Sequence, residues 1–387
     1  MEIKTLSANT FAAPFNDTFE TFFDTYKIEE DIECYQLVFC PYHHANGHDL
    51  GTNFEDLNKI NFQSKTVILN IIDTIIDRKD NTDIEGLVEF CAKHPEQNFI
   101  IYNPHLNLQR DLNLRGIVIP NLYLDTIMPT NLTDKYKSCK KKEITNRWVT
   151  FNGDTKLHRI ATICYLLSKD YYHNGDFTFD ISCPPVVKFD GYKNISKITD
   201  YKLKGDIAKG YARLKSKDFN LLDIPPFDRT TPYYKIVDNY HEVLVSCYEN
   251  VAVEIITGTM FFENTPVLSE KEWQSVYGKN FPIYINGVGV VRELKKLFDL
   301  DLFDDIIDHS YDEVEDHFER MATAINNNEK LLDGSTNIKE LWSDNKKRFD
   351  NNCEKLDAMF FDKNFQRTFN HQKIKQSLRH FGVSFKE

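Results

Sequence analysis

Residues 256–289 read ITGTMFFENTPVLSEKEWQSVYGKNFPIYINGVG. They run through a short apolar strand, a polar loop, a Ser-Glu-Lys helix start, a Phe-Pro-Ile strand and a glycine-bearing turn. That order supplies the parts a nucleotide-sugar pocket needs. A helix N-terminus and a lysine suit phosphate, a carboxylate suits ribose hydroxyls, and glycine lets backbone approach closely. Ser269 is a good N-cap, with Glu270 and Lys271 in the first turn. A lysine there is electrostatically misplaced, because that end of a helix is already positive, and a bound diphosphate would relieve the conflict. The plain alternative is a surface helix start with an ordinary charged pair.

Outward from this stretch the same strand–helix rhythm recurs. Residues 35–40, 66–72, 98–102 and 116–120 are β-rich runs bounded by turn residues, and 83–94 has helical spacing. Strands alternating with helices imply crossover connections and a mainly parallel sheet. A second series comprises a strand at 147–153, a helix at 155–169, strands at 242–247, 252–257 and 281–286, and helices from Ser269 and Val290. Residues 176–235, with Pro184, Pro185, Pro225, Pro226 and Pro232, read as irregular. After Asp312 the pattern is helical, over 312–332, 338–358 and 364–380. The expected domains are 1–145 and 146–332, both Rossmann-like, followed by a helical tail at 333–387.

Composition narrows the function classes. The chain has 387 residues, 41% hydrophobic and 27% charged, as a folded two-domain protein requires. Its net charge of −12 argues against non-specific coating of nucleic acid, though not against a local basic groove. The basic cluster 135–147 reads as a solvated linker or as a contact for an acidic partner. Eight cysteines without a CxxC pair suggest free thiols in a reducing compartment. No signal segment or long apolar run is evident, so no membrane span and a cytoplasmic location are expected, the host cytoplasm if the protein is viral.

Two further clusters carry candidate chemistry. At 151–159 (FNGDTKLHR) a strand hands over to a helix, and Lys156 and Arg159 lie three apart on its first turn, placed to bind an anion. Otherwise Asp154 or Thr155 merely caps the helix and Arg159 is solvated. At 41–49 (PYHHANGHD) three histidines and a carboxylate follow a strand, a setting for proton transfer in which His44 and Asp49 are the candidate catalytic pair. The same histidines also read as surface loop residues or as metal ligands. Asp73 and His105 hold equivalent sheet-end positions, and Asp308–Asp312 reads as structural.

From about Arg147 to Leu332 the chain resembles the C-terminal half of a glycosyltransferase family common in tailed bacteriophages and marine viruses. The resemblance rests on VTFNGDTKLHRIATICYLL, VLVSCYENVAVEIITGT, PVLSEKEW, FPIYINGVGVVRELKKL and DDIIDHSYDEVEDHFERMATAI, with NKKRFDNNCEKL in the tail. The Ser-Glu-Lys-x-Trp piece is also similar to the donor segment of α-1,3-fucosyltransferases. The resemblance implies an α/β GT-B architecture, two Rossmann-like domains facing a cleft. It implies inverting, metal-independent sugar transfer from a nucleoside diphosphate donor, with no separate cofactor. Asn152, Gly153, His158 and Arg159 would lie near the donor phosphates, where the helix-corner reading also puts Lys156. Glu270 and Lys271 would hold ribose and diphosphate behind the Ser269 cap, and Gly287 and Gly289 would border the pocket. The acceptor would be hydroxymethylated DNA or a glycan. Relatives carry Thr-Glu-Thr where this chain has Thr257-Gly258-Thr259, so a non-catalytic nucleotide- or glycan-binding module is the alternative. Glu254 and Glu263 are candidate substitutes for the missing glutamate.

Overall fold

A computed structural model describes residues 3–5, 22–37, 57–71, 82–103, 117–120, 139–141, 143–152, 157–178, 198–216, 244–258, 268, 270–361 and 363–386. The chain divides into two compact units, one of residues 1–129, 265–268 and 357–387, the other of 130–264 and 269–356. Each holds a wholly parallel sheet with helices packed against it.

In the first unit the strands are β1 (Ile3–Thr5), β2 (Ile32–Leu37), β3 (Thr66–Ile71), β4 (Asn98–Asn103) and β5 (Ile117–Pro120), paired in chain order. Helix α1 (Thr82–Lys93) connects β3 to β4. Successive side chains of a strand point to opposite faces, so a sheet covered on both sides needs unbroken apolar runs. Val67, Leu69, Phe99 and Ile101 pack with Leu87 and Phe90 of α1 on one face. Ile68, Ile100 and Tyr102 face the other way, against residues from the far end of the chain.

The second unit's sheet contains β6 (Asn146–Thr150), β7 (Gly175–Phe177), β8 (Val251–Thr257) and β9 (Phe281–Ile285). Helix α2 (Leu157–Ser168) links β6 to β7, and α3 (Tyr201–Ser216) lies between β7 and β8. Helix α4 (Glu270–Tyr277) links β8 to β9, and α5 (Val290–Phe298) follows β9. The spatial order is β7-β6-β8-β9, all parallel. The chain steps outward from β6 to β7, then returns past β6 to form β8. That reversal makes a topological switch point between the carboxyl ends of β6 and β8.

The C-terminal region is helical: α6 (His317–Asn327), α7 (Glu329–Leu332), α8 (Ile338–Asp344), α9 (Lys346–Phe361) and α10 (Lys363–His380). Phe349 of α9 packs edge-on against Phe281 and at a tilt against Phe303 in the second unit. Ile374 and Leu378 of α10 instead cover the second face of the first unit's sheet, beside Ile68 and Ile100. Among the described residues no helix is long and apolar enough to cross a membrane. The six described cysteines are thiols, none of them in a disulfide.

Two readings of local structure are corrected. The stretch 242–247, read as a strand, contains a helical turn over 244–248 that buries Leu244 and Tyr248, four residues apart. The region 176–235, read as irregular, contains α3. Only Leu203, Ile207 and Leu214 supply apolar side chains to its buried face, and Gly210 fills the fourth buried position. A count of apolar residues misses a helix whose contact is made partly by backbone.

Candidate functional site

The carboxyl ends of β6, β8 and β9 carry a continuous polar seam. Asn152, directly beyond β6, is fully buried; its backbone N–H donates to Thr178 Oγ1 at 2.7 Å and its side chain accepts from Thr257 Oγ1 at 2.8 Å. His158, in the first turn of α2, lies 2.8 Å through Nε2 from the Gly258 carbonyl. A carbonyl only accepts, so Nε2 carries the proton and the imidazole pins α2 to the end of β8. The Gly258 N–H donates to Ile285 O at 2.9 Å, carrying the seam to β9.

Beyond β9, Asn286 donates through Nδ2 to Glu272 Oε1 at 2.8 Å and accepts the Gly287 N–H at 2.7 Å. Its carbonyl accepts from Arg320 Nε at 2.9 Å. Burial lowers the Arg320 pKa to about 10, opposed by Asp312 and Asp316. Glu272 is fully buried, so this edge holds a carboxylate as well as a guanidinium.

The structure brings several expected residues to this edge. Asn152 and His158 join the seam. Arg159 follows at 3% exposure, so the reading of a solvated arginine does not hold. Glu270 and Lys271 open α4, the helix after β8, and Lys271 is half-buried. Because β6, β8 and β9 are adjacent and parallel, α2 and α4 both begin at this edge of the sheet, and the bond from Asn286 to Glu272 sets the first turn of α4 beside the end of β9. His44, Asp49, Gly153, Lys156 and Ser269 lie outside the described residues, as do Asp73, His105 and Glu263.

Gly287 and Gly289 form the β9–α5 turn on the same edge, where local chemistry already accounts for them. Gly289 is left-handed, with φ of 82°, and serves as the N-cap of α5. The helix end beyond it is filled by Asp312, whose two carboxylate oxygens accept the N–H groups of Val291 (3.1 Å) and Arg292 (3.0 Å). Burial raises the Asp312 pKa, and these two amides oppose the shift. An internal carboxylate thus holds the place an external anion would take at α5.

Sequence reasoning missed Thr257, Glu272, Asn286 and Arg320, whereas Asp312 has the structural role that the reading of Asp308–Asp312 expected. Asn286 follows the apolar strand β9 directly, and a polar residue at that point is the signal that marks the edge. Glu254 does not stand in for the glutamate missing at Gly258: it is enclosed at 3% exposure and accepts from Tyr248 Oη at 2.8 Å.

Gly258 has its own packing reason. A Cβ there would lie 2.2 Å from Asn286 Cγ and 2.3 Å from Nδ2. Asn286 is held by Glu272 and by the Gly287 amide, so it cannot simply rotate away. Gly258→Ala is expected to destabilise the protein by about 1–3 kcal/mol, the cost of overpacking. Urea denaturation checks this, and an unchanged midpoint would show that Asn286 moves freely.

Compared with protein-family models, curated proteins and solved structures, the chain matches none.

Proposed function

We propose that the chain is a glycosyltransferase of the GT-B type whose second unit binds a nucleoside diphosphate sugar at the carboxyl edge of β6 and β8. The observation that carries this reading is the switch point itself. Two helices begin at the same edge of the sheet, one bringing His158 and Arg159, the other Glu270 and Lys271. Ligands of open parallel sheets bind at such crevices, and helix N-termini there favour phosphate. The sequence resemblance over residues 147–332 points the same way.

In the reaction, an acceptor hydroxyl attacks the anomeric carbon as the bond to the diphosphate breaks, inverting the configuration. Negative charge grows on the departing diphosphate, where Lys271, Arg159 and the helix amides stabilise it. His44 or Asp49 takes the acceptor proton. Glu270 accepts hydrogen bonds from ribose hydroxyls. The acceptor is a hydroxymethylated base in DNA or a glycan, reached from the cytoplasm. Gly258 favours one second reading, a nucleotide- or glycan-binding module without turnover, because no carboxylate stands at that position.

The test is a panel of nucleotide sugars scored by thermal shift and by slow donor hydrolysis. One donor should raise the melting temperature and be hydrolysed; stabilisation without turnover, with acceptors present, selects the binding module. Lys271→Ala should weaken diphosphate binding by about 1.5–3 kcal/mol, the value of a charge-assisted hydrogen bond. Lys271 carries this test because Arg159 is buried and its removal also disturbs packing. An unchanged titration curve for Lys271→Ala removes the donor-site assignment.

A further inference from the structure

We propose that the outward face of α3 binds single-stranded nucleic acid, through two rows of cations and one exposed tyrosine. Helix α3 carries Lys202, Lys204, Lys209, Arg213 and Lys215 against the single carboxylate Asp206, within a chain of net charge −12. Its apolar side chains Leu203, Ile207 and Leu214 are buried, so the charged face is the one left to solvent.

At 100° per residue, Lys202, Lys209 and Arg213 line one flank of that face, and Lys204 and Lys215 line the other. Between them lie Gly205, Ala208 and Ala212. A Cβ at Gly205 would meet nothing within 4 Å, so no packing contact explains that glycine. Small residues between two cationic rows let a phosphodiester backbone come close to the helix while both rows reach its oxygens. Lys215 rests on the Tyr211 ring at 4.7 Å, while the half-buried Arg213 lies on the Tyr172 ring at 4.8 Å and donates to the Leu167 carbonyl, so the exposed charge of its row is that of Lys202 and Lys209. Asp206 lies on the Lys202 flank, and Asp200 is engaged in capping, accepting the N–H groups of Lys202 and Leu203.

Tyr201 is the second, independent observation. It is 90% exposed at the first turn of α3, whereas most large apolar side chains described are buried. An uncovered aromatic beside cations is a stacking platform for an unpaired base. A duplex stacks its bases on one another and offers only edges and backbone, which is why the proposal commits to a single strand. A lipid surface fits poorly, since an interfacial helix inserts an apolar face and that of α3 is already buried.

The proposal does not rest on the proposed donor site, although α3 runs along α2, with Gly210 against Cys164 and Arg213 on the Leu167 carbonyl; it is tested on the full-length chain by fluorescence anisotropy with a thymidine oligonucleotide. A duplex of the same length and anionic vesicles serve as alternative ligands, and salt is varied upward from about 50 mM. The single strand should bind tightest. Combining Lys202→Ala, Lys209→Ala and Lys215→Ala should reduce the slope of log affinity against log salt by about 2, at ~0.7 per phosphate contact. Tyr201→Ala should weaken binding by about 5- to 150-fold without changing that slope. All four residues are exposed, so the variants should melt like the parent, and nucleotide-sugar thermal shifts should be unaltered in them. No strand binding at low salt, full binding by the triple variant, or tighter binding of duplex or vesicles with Tyr201→Ala silent would each overturn the proposal.

Discussion

Gly210→Ala lowers the melting temperature by about 4–8 °C, whereas Gly205→Ala, five positions earlier on the same helix, raises it by about 2–4 °C. Both substitutions bring the same gain in helix propensity, about 1 kcal/mol over glycine. They differ in what the new methyl group meets. At Gly205 it meets nothing within 4 Å, so the propensity gain stands alone. At Gly210 it would lie 1.6 Å from the Cys164 carbonyl oxygen and 2.4 Å from the carbonyl carbon. These are backbone atoms of α2 and cannot rotate aside, so the two helices must separate. Overpacking costs about 1–3 kcal/mol where side chains can give, and this contact belongs at the top of that range or above it. Separation would also loosen Cys164 and Leu167, both buried on α2. Thermal unfolding of the two variants beside the parent decides the matter. A Gly210→Ala protein melting within a degree of the parent would mean that α2 and α3 do not touch through their backbones.

The same glycine explains part of what the sequence hides. The strands β3, β4, β8 and β9 are legible because each is buried on both faces and so spells a continuous apolar run, as in VILNI and VAVEII. Helix α3 is not legible, because one of its four buried positions has no side chain to count. The run EVLVSC carries strand-forming residues yet takes a helical turn, since burying Leu244 and Tyr248 together requires a spacing of four. The packing of α10 on the first unit's sheet is equally unannounced, because local periodicity shows that Ile374 and Leu378 share a face but not which sheet receives it.

The candidate site divides in the same manner. Asn152, His158 and Lys271 fall at strand-to-helix corners, which local patterns reveal. The partners that fix the seam come from distant segments. Asp312 fills the end of a helix that begins at Val290, and Arg320 reaches the carbonyl of Asn286. Chemistry that depends on such pairings becomes visible only once the chain is folded.

The second large effect concerns a buried pair away from that seam. Lys141 Nζ donates to Tyr248 O at 2.6 Å, to Asn280 Oδ1 at 2.5 Å and to Val251 O. Burial lowers its pKa to about 7, with Cys139 and Glu254 opposing the shift. Burial likewise raises the Glu254 pKa to about 7, opposed by Tyr248 and more weakly by Ser275 and Lys141. The signs follow from which state holds more protons. The folded protein holds the Glu254 proton more tightly, so stability falls as pH rises from 4.5, its ordinary value, through 7. The folded protein holds the Lys141 proton less tightly, so stability recovers as pH rises from 7 towards 10.5. This pair therefore contributes a minimum near neutrality. Glu254→Gln keeps an acceptor for the Tyr248 hydroxyl and removes the buried charge. It should leave stability nearly unchanged at pH 5 and raise it by roughly 1–3 kcal/mol at pH 8, allowing about 1.4 kcal/mol for each tenfold change in proton affinity and discounting for relaxation. Lys141→Met should destabilise at every pH, because three oxygens lose their donor at about 1–3 kcal/mol for each one left unsatisfied, and it should remove the alkaline recovery. Urea denaturation from pH 5 to pH 10, read as the difference between each variant and the parent, cancels the other titrating groups. An equal effect of Glu254→Gln at pH 5 and pH 8 would show that Glu254 ionises as an ordinary carboxylate.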